Sequence, residues 1–483
     1  MPIQLYDSMT RRVVPFETRD LGKAGIYCCG MTVYNYAHIG NMRTIVWFDL
    51  IRRYLTYRGF DVTFVMNYTD VDDKIIERAR VEGITPDEVT AKYSRAFEED
   101  LAGLGSEKPD AIPRATEHIE GMIDAIGALV DKGFAYPAEG NVWFSVESFP
   151  GYGKLSGRSL DDMRAGERVE PHPGKRHPLD FSLWKAAKEG EPAWDSPWGS
   201  GRPGWHIECS VMSDRYLGMG FDIHGGGSDL IFPHHENEIA QSEAHAGTEP
   251  FARYWLHAGM VQMDAEKMSK SLGNVALARE VLEHYPGEAV RYWMLQGSYR
   301  SQVVFSGSAL EDAVQSFDRW RTFVGSARHA LGDLPKPAAS VRKLDDEIPE
   351  SPGTGAIRAF VAAMDNDFNS AEAFAALHEL VREGNKLMPK AQEGDQSARS
   401  ELEQLTSAFL ELTGVLGFVF ASDAGSSQLA GELISYLLER REKARRDKDF
   451  AQADEIRDKL TELGVLIEDT AAGARWRISA SSD

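Results

Sequence analysis

The amino-acid sequence predicts the α/β fold class, with a parallel-sheet domain followed by a helical bundle and a small α+β module. Residues 25–68 show an apolar run, an amphipathic stretch and a second apolar run, which is typical of strand, helix and strand. After Phe305 the apolar residues recur at the helical period, and the end of the chain combines amphipathic stretches with a hairpin pattern. At 483 residues, 42% of them apolar, the chain has room for roughly three domains.

The first strand–helix–strand unit predicts where a ligand would bind. We expect strands within residues 25–34 and 62–66, and a helix that ends near Gly59. The helix is indicated by apolar residues three or four apart, namely Ile45, Phe48, Ile51 and Leu55. Parallel strands joined through a helix need a right-handed crossover, and ligands bind beyond their carboxyl ends. The loop over residues 31–41 occupies that position.

A second helix is predicted to begin at Thr85. Thr85 is suited to the N-cap, Pro86 to the first helical position, and Glu88 to the capping box. From about residue 136 to residue 205 proline and glycine become frequent. This composition predicts a loop-rich insertion between two halves of the sheet domain.

The domain organisation follows from these patterns and from two linkers, at residues 333–355 and 422–427. We expect a first domain over 1–310, with its insertion at about 120–203, and a helical bundle over 311–421. A small module over 428–483 is expected to contain two helices and a hairpin from Val465 to Ile478.

Charge and cysteine content exclude several classes of protein. Lys and Arg number 53 against 75 Asp and Glu, and the net charge of −22 argues against binding nucleic acid through bulk positive charge. Three cysteines, two of them adjacent, do not form a disulfide framework and favour a reducing compartment. The N-terminus has no apolar export segment, and no apolar run is long enough to cross a membrane. We therefore expect a cytoplasmic protein with no membrane partner.

A few residues suggest a zinc site. His234 and Glu238 stand four apart and would share a helix face. Two cysteines distant in sequence, Cys209 and either Cys28 or Cys29, would complete a set of four ligands. Cys28 and Cys29 point to opposite faces of a strand, so that at most one can serve. The alternative is that the cysteines are small core residues and the histidines cap a helix or bind loop carbonyls.

Two segments are suited to handling phosphate. His38-Ile39-Gly40-Asn41 precedes the first amphipathic helix, whose N-terminus offers backbone N–H groups and a positive dipole end. Residues 267–274, KMSKSLGN, place Lys267 and Lys270 in a loop rich in serine and glycine. Taken separately, each segment is weak evidence for a function.

Together, and in this order, the two segments resemble the HIGH and KMSKS motifs of class I aminoacyl-tRNA synthetases. The resemblance narrows to the cysteinyl-tRNA synthetase family through longer blocks at 27–34, 67–75, 204–210 and 225–238. It extends to residues 364–369 in the helical region and to short blocks at 445–446, 453–454, 456–457 and 466–470. Asn41 departs from the family motif, which has a second histidine there.

The resemblance implies a Rossmann-like catalytic domain and specific roles for residues. It implies one Zn²⁺ per chain, held by Cys29, Cys209, His234 and Glu238, and Mg²⁺ accompanying ATP. It assigns catalysis to His38, Asn41, Lys267 and Lys270, and ATP binding to these four together with Gly30, Gly40 and Ser269. It assigns the substrate L-cysteine to Thr32, Thr69, Trp205 and Asp229.

The resemblance also implies tRNA(Cys) as a partner, with the protein expected to be a monomer. Residues 440–459 hold eight basic and six acidic side chains, so the tail is locally basic in an acidic chain. Trp476, flanked by Arg475 and Arg477, is suited to stacking on an unpaired base. The alternative is that Trp476 packs on the helices of the tail.

Three other functions fit the sequence less well. A cysteine ligase of mycothiol synthesis resembles the same catalytic half and passes cysteine to an amino sugar, but it would not need the tail module. A non-catalytic tRNA-binding homologue would not need the intact KMSKS segment. A nicotinamide dehydrogenase is disfavoured because no GxGxxG follows the first strand.

Overall fold

The computed structural model describes residues 2–160, 174–263, 276–344, 346–420, 426–447, 449–470 and 473–478. The chain divides into two compact units, Met1–Val419 and Phe420–Asp483. Among the described residues, every helix is too short or too polar to span a membrane.

The strands and helices are numbered in chain order. The strands are β1 Gln4–Asp7, β2 Arg12–Pro15, β3 Lys23–Cys28, β4 Asp61–Met66, β5 Ala135–Ala138, β6 Asn141–Phe144, β7 Phe181–Ala186, β8 Gly201–Pro203, β9 Phe221–Gly227, β10 Ala252–Ala258, β11 Val261–Met263, β12 Val303–Phe305, β13 Val465–Thr470 and β14 Gly473–Ile478. The helices are α1 Ile39–Tyr57, α2 Asp73–Glu82, α3 Pro86–Gly103, α4 Ile119–Asp131, α5 Trp205–Leu217, α6 Glu236–Ala246, α7 Ala278–His284, α8 Gly287–Leu295, α9 Gly307–Leu331, α10 Thr354–Asp365, α11 Ser370–Gln392, α12 Gln396–Val415, α13 Ser426–Arg446 and α14 Phe450–Glu462.

The first unit is built on a parallel sheet in the order β10-β9-β3-β4, which confirms the predicted α/β class. Helix α1 connects β3 to β4, and Gly59 follows it with φ of +89°, as its position after the helix predicts. Strand β3 ends at Cys28, before the predicted loop over residues 31–41. Gly30 then packs so closely on the Asn67 backbone that a Cβ would be 1.8 Å from the Asn67 carbonyl oxygen.

The segment around residues 136–205 contains more regular structure than its composition predicts. Strands β5, β6, β7 and β8 form a four-stranded antiparallel sheet, and α4 packs against β5. These strands have three to six residues, and glycine and proline occupy β8, so the sequence pattern for a strand is weak. Helix α3 begins as predicted, with Thr85 and Glu88 completing a capping box.

Helices α9 to α12 form the predicted bundle around the buried side chain of Trp320. A buried ion pair of 2.7 Å between Arg58, just after α1, and Asp365 joins this bundle to the sheet region. In the second unit α13, α14 and the antiparallel pair β13–β14 enclose a small apolar core of Ile434, Leu438, Leu460 and Val465. The two helices and the hairpin were predicted.

Candidate functional site

Four potential metal ligands meet beyond the carboxyl end of the parallel sheet. Cys29 directly follows β3, and Cys209 lies in the second turn of α5. His234 belongs to an irregular turn over Ile231–His235, and Glu238 lies in the first turn of α6. One donor atom from each side chain lies within 4.8 Å of the others, and all four residues are buried.

The distances within this set match the edges of a tetrahedral zinc centre. The Cys29 and Cys209 Sγ atoms are 3.7 Å apart, and Cys29 Sγ lies 3.4 Å from Glu238 Oε1. With Zn–S bonds of 2.3 Å, two thiolates on a tetrahedron stand about 3.8 Å apart. His234 Nε2 lies 2.9 Å from Glu238 Oε1, the hydrogen-bonded distance expected before a metal separates the two. Two sulfurs, one imidazole and one carboxylate fit zinc in both distance and type of donor.

Interactions among the four groups set their protonation. The hydrogen bond from Cys29 lowers the pKa of Cys209 to about 6, against the effect of burial. Burial would raise the pKa of Glu238, but the charges of His224 and His234 hold it well below its ordinary range. Burial lowers the pKa of His234, yet Glu238 and Cys209 outweigh it and raise that pKa to about 10. Burial raises the pKa of Cys29, so the Cys209 thiolate and the Glu238 carboxylate are favoured, and a bound metal would displace the protons of Cys29 and His234.

Further histidines orient the set. His206 Nδ1 lies 2.8 Å from His234 Nδ1, which leaves His234 Nε2 facing Glu238. His224 Nε2 lies 2.8 Å from Glu238 Oε2, and the His224 ring stacks on Trp255. A second combination, Cys29, His224, His235 and Glu238, also brings its donor atoms within 4.8 Å. The second set replaces Cys209 and His234 with two other imidazoles, both kinds of donor suit zinc, and the two sets share Cys29 and Glu238.

The structure distinguishes the two adjacent cysteines. Cys28 is the last residue of β3 and is fully buried, and it belongs to neither of the two potential ligand groups. Burial raises the pKa of Cys28, which keeps it a neutral thiol. Sequence spacing alone left open whether Cys28 or Cys29 is the ligand. The residue that lies beside Cys209 is Cys29, which is also the residue that the family resemblance assigns.

His38 and Asn41 together form the N-terminal cap of α1. Gly40 N–H donates to His38 Nδ1 at 3.0 Å, and His38 N–H donates to Asn41 Oδ1 at 3.3 Å. Because Nδ1 accepts, the neutral imidazole has its proton on Nε2, where it can donate to another group. Burial lowers the pKa of His38, which keeps the ring neutral. Asn41 therefore has a capping role that sequence analysis did not assign to it.

Lys267, Ser269 and Lys270 lie outside the described residues. The described residues on either side of 264–275 lie against the start of α1. Ile39 N–H donates to the Ala276 carbonyl at 3.0 Å, and a Cβ on Gly40 would lie 3.6 Å from Val261.

The residues expected to contact cysteine lie at different distances from the ligand set. Trp205, which begins α5, is 36% exposed and stacks on the His234 ring at 4.2 Å. Thr32 and Thr69 are bridge partners between the loops after β3 and β4. The Thr69 hydroxyl donates to Glu208 Oε2 at 2.8 Å, and Asp229 lies exposed in a short turn after β9.

Sequence reasoning missed His206, His224 and Glu208. Glu208 is fully buried beside Cys209, and burial raises its pKa well above its ordinary range. His206 and Glu208 stand within the quoted block 204–210, but no spacing rule indicates which side chains of that block surround the ligands. In the second unit Trp476 is half-buried and packs against the apolar core, and the side chains of Arg475 and Arg477 are not described.

Comparison with known proteins shows to which class of enzyme the chain belongs. A family model described as tRNA synthetases class I (C) catalytic domain matches residues 15–315. A solved structure of Mycobacterium tuberculosis methionyl-tRNA synthetase has a similar fold, with a TM-score of 0.57 and 15% identity over 82% of this chain and 89% of that chain. The fold and the family model define a class I aminoacyl-tRNA synthetase.

Full-length relatives narrow the class to a family. Cysteine–tRNA ligases of Desulfitobacterium hafniense and Brevibacillus brevis are each 48% identical, over 99% of this chain and 100% of each relative. Models described as DALR domain and cysteinyl-tRNA ligase anticodon binding domain match residues 359–421 and 432–477. The chain is an enzyme that belongs to the cysteinyl-tRNA synthetase family.

Proposed function

We propose that this chain joins L-cysteine to tRNA(Cys) in two steps. The cysteine carboxylate attacks the α-phosphate of ATP, which gives cysteinyl-adenylate and releases pyrophosphate. The 2′-hydroxyl of the terminal ribose of tRNA then attacks the activated carbonyl and releases AMP. The observation that supports this proposal most strongly is the buried Cys29–Cys209–His234–Glu238 set at the carboxyl end of the sheet.

These four residues are proposed to hold one zinc ion per chain. Zinc held by all four residues would accept the substrate sulfur as thiolate by expanding from four ligands to five. Serine offers a harder oxygen whose proton is far less readily lost, so cysteine and serine differ strongly in affinity for such a site. This difference provides selection without an editing domain.

Other residues are proposed to orient the amino acid. Trp205 would cover the substrate side chain, because its ring stacks on His234 and stays partly exposed. Asp229 is proposed to bind the substrate ammonium, and its exposed carboxylate is free of burial cost. Thr32 and Thr69 would border the same space, although the Thr69 hydroxyl already donates to Glu208.

The start of α1 is proposed to bind ATP. The Nε2–H of His38 would donate to the phosphates, the positive end of the α1 dipole would favour their charge, and Gly30 and Gly40 are proposed to allow close approach. Asn41 would contribute by fixing His38 through the cap. Lys267, Ser269 and Lys270 are proposed to bind the pyrophosphate portion, since the residues flanking 264–275 lie beside α1. Mg²⁺ is expected to accompany ATP.

Different roles are proposed for the predicted domains. Domain 1–310, with its insertion at about 120–203, would perform the chemistry, and 311–421 and 428–483 would bind tRNA. Trp476, Arg475 and Arg477 remain proposed tRNA contacts, although Trp476 also packs on the core of its unit. We also propose that the protein acts as a monomer in the cytoplasm, where its three buried cysteines stay reduced.

Two assays test the proposal. Exchange of pyrophosphate into ATP should depend on L-cysteine, and the purified chain should charge a tRNA(Cys) transcript. An amino-sugar acceptor should receive no cysteine, and serine should support exchange at least about 10⁴-fold less efficiently. Transfer to the amino sugar with no charging of tRNA would contradict the proposal.

A further inference from the structure

Tyr27 lies on the face of the parallel sheet that carries the candidate metal ligands. Successive residues of a strand point to opposite faces, and Cys29 N–H still bonds to the Gly225 carbonyl of β9, so Tyr27 and Cys29 share a face. On β9, His224 pairs in register with Tyr27, and the two rings meet edge to face with centroids 5.4 Å apart. His224 Nε2 in turn lies 2.8 Å from Glu238 Oε2. The Tyr27 ring therefore forms part of the wall of the metal site.

The Tyr27 hydroxyl is buried without a regular hydrogen bond. The residue is fully buried, and its hydroxyl oxygen has no hydrogen-bond partner among the described residues. An unpaired buried polar group costs about 1–3 kcal/mol, a cost that phenylalanine would avoid in the same volume. A group of this kind needs an explanation, and one explanation is a role in a site that binds an ion.

The groups that surround this hydroxyl are the candidate metal ligands. Burial, followed by the charges of Cys209, Cys29 and Glu238, raises the pKa of Tyr27 well above its ordinary value. Hydrogen bonding to Cys209 contributes to the same rise, so the Cys209 sulfur lies beside the hydroxyl, although the pair falls short of a regular hydrogen bond. The phenol keeps its proton and can therefore donate a hydrogen bond.

Metal binding would change the partners of the Cys209 sulfur. The thiol of Cys29 donates to that sulfur, with the two Sγ atoms 3.7 Å apart. A metal bound to Cys29 would displace its thiol proton, which removes this donor from Cys209. The Tyr27 hydroxyl is placed to donate to the Cys209 thiolate instead.

We propose that Tyr27 is a positioning residue whose hydroxyl donates a hydrogen bond to the Cys209 sulfur when the ligand set holds its metal. A donor to a metal-bound thiolate stabilises the charge of the sulfur and fixes its orientation. Tyr27 acts through Cys209 and does not contact the substrate. This inference rests on the zinc site of the proposed function, and it adds to that site a residue outside the four ligands.

Tyr27→Phe tests the inference because it removes the hydroxyl and keeps the ring. Competition with a chromogenic chelator, on the full chain under reducing conditions, should show that the variant binds zinc about 10- to 100-fold more weakly than the parent. With Co²⁺ in place of zinc, the thiolate-to-cobalt absorption should move to longer wavelength, because the sulfur electrons lose a stabilising donor. After treatment with a strong chelator, the variant should melt at or above the melting temperature of the parent, since an unpaired buried hydroxyl has been removed.

Tyr68→Phe is the matched control. Tyr68 is 1% exposed, and its hydroxyl is also buried and unpaired among the described residues. Its ring packs on Phe97 of α3, and burial together with the charge of Glu98 raises its pKa, so this hydroxyl faces α3 and not the metal ligands. Tyr68→Phe should keep the zinc affinity and the cobalt absorption of the parent.

The outcomes separate this inference from the proposed function. A parent chain that binds neither zinc nor cobalt would contradict the zinc site, and the inference with it. If the parent binds zinc, a Tyr27→Phe variant with equal zinc affinity and unchanged cobalt absorption would overturn the inference alone. Equal weakening of zinc binding in Tyr27→Phe and Tyr68→Phe would also overturn it, because the loss of a hydroxyl would then act through the fold.

Discussion

The two halves of the proposed active site are built in different ways. The Cys29–Cys209–His234–Glu238 set is buried, and its donor atoms already lie within 4.8 Å of one another. At the start of α1, His38 is half-buried and Asn41 exposed, the first backbone N–H groups are already paired within the chain, and the donor on offer is one imidazole N–H. On the proposed function, selection of the amino acid would depend on four buried side chains. Phosphate binding would depend on a helix end at which this chain has Asn41 in place of the second histidine of the family motif.

The largest effect should come from Cys209→Ser. Removal of one thiolate should lower zinc content and reduce cysteine-dependent exchange at least about a hundredfold, since loss of even an outer partner costs metal affinity 10- to 100-fold. Cys28→Ser is the matched control, because Cys28 is equally buried but lies outside both ligand groups. Zinc content is measured by atomic absorption. Equal loss of zinc in both variants would contradict the assignment.

A comparable loss of activity, but with no loss of zinc, is expected from His38→Ala. The variant should lower the exchange rate about 10²- to 10³-fold at saturating substrates, because it removes a donor to the charge that develops on phosphate. His38→Asn should recover part of this rate, since an amide both caps the helix and donates. Steady-state exchange kinetics at saturating ATP and cysteine provide the check. An unchanged rate in His38→Ala would exclude a catalytic contact for this residue.

Stability should also depend on pH through His38. Its folded pKa is lowered by burial, so its cap is fully present above the unfolded value near 6.5 and is lost as the pH falls toward the folded value. The protonated ring cannot accept from Gly40 N–H. The melting temperature of the parent should therefore fall relative to that of His38→Asn on going from pH 7.5 to pH 5.5. A constant difference across this range would exclude the capping tautomer.

The smallest effect is expected from Asn41→Ala. It removes the side chain that accepts from His38 N–H and should reduce the free energy of unfolding by about 0.5–1 kcal/mol. Exchange should fall only severalfold, because His38 keeps its own bond to Gly40. Denaturant unfolding and exchange kinetics check both values. A loss of activity as large as that of His38→Ala would show that Asn41 contacts the phosphates directly.

The same contrast explains which elements and site residues could be predicted from the sequence alone. Local signals sufficed for α1, for the capping box at Thr85 and for the hairpin of β13 and β14, because these depend on neighbouring residues. They missed the sheet β5–β8, whose short strands contain glycine and proline. Spacing could not choose between Cys28 and Cys29, and the family resemblance made that choice.

The surroundings of the site could not be predicted from spacing at all. His206 and His224 reach the ligand set from α5 and β9, and Glu208 meets Thr69 across the sheet. These contacts join residues that are distant in sequence, so they depend on how the elements pack.

The most direct test of the central claim is the absorption spectrum of the chain loaded with Co²⁺ in place of zinc. If the Cys29–Cys209–His234–Glu238 set binds the metal with a position open to substrate, L-cysteine should increase the thiolate-to-cobalt charge-transfer absorption, in the parent and in Cys28→Ser alike. L-serine should leave that absorption unchanged, and Cys209→Ser should lack the parent spectrum. An absorption spectrum that does not change when L-cysteine is added would contradict the metal assignment. The parent spectrum appearing unchanged in Cys209→Ser would contradict it as well.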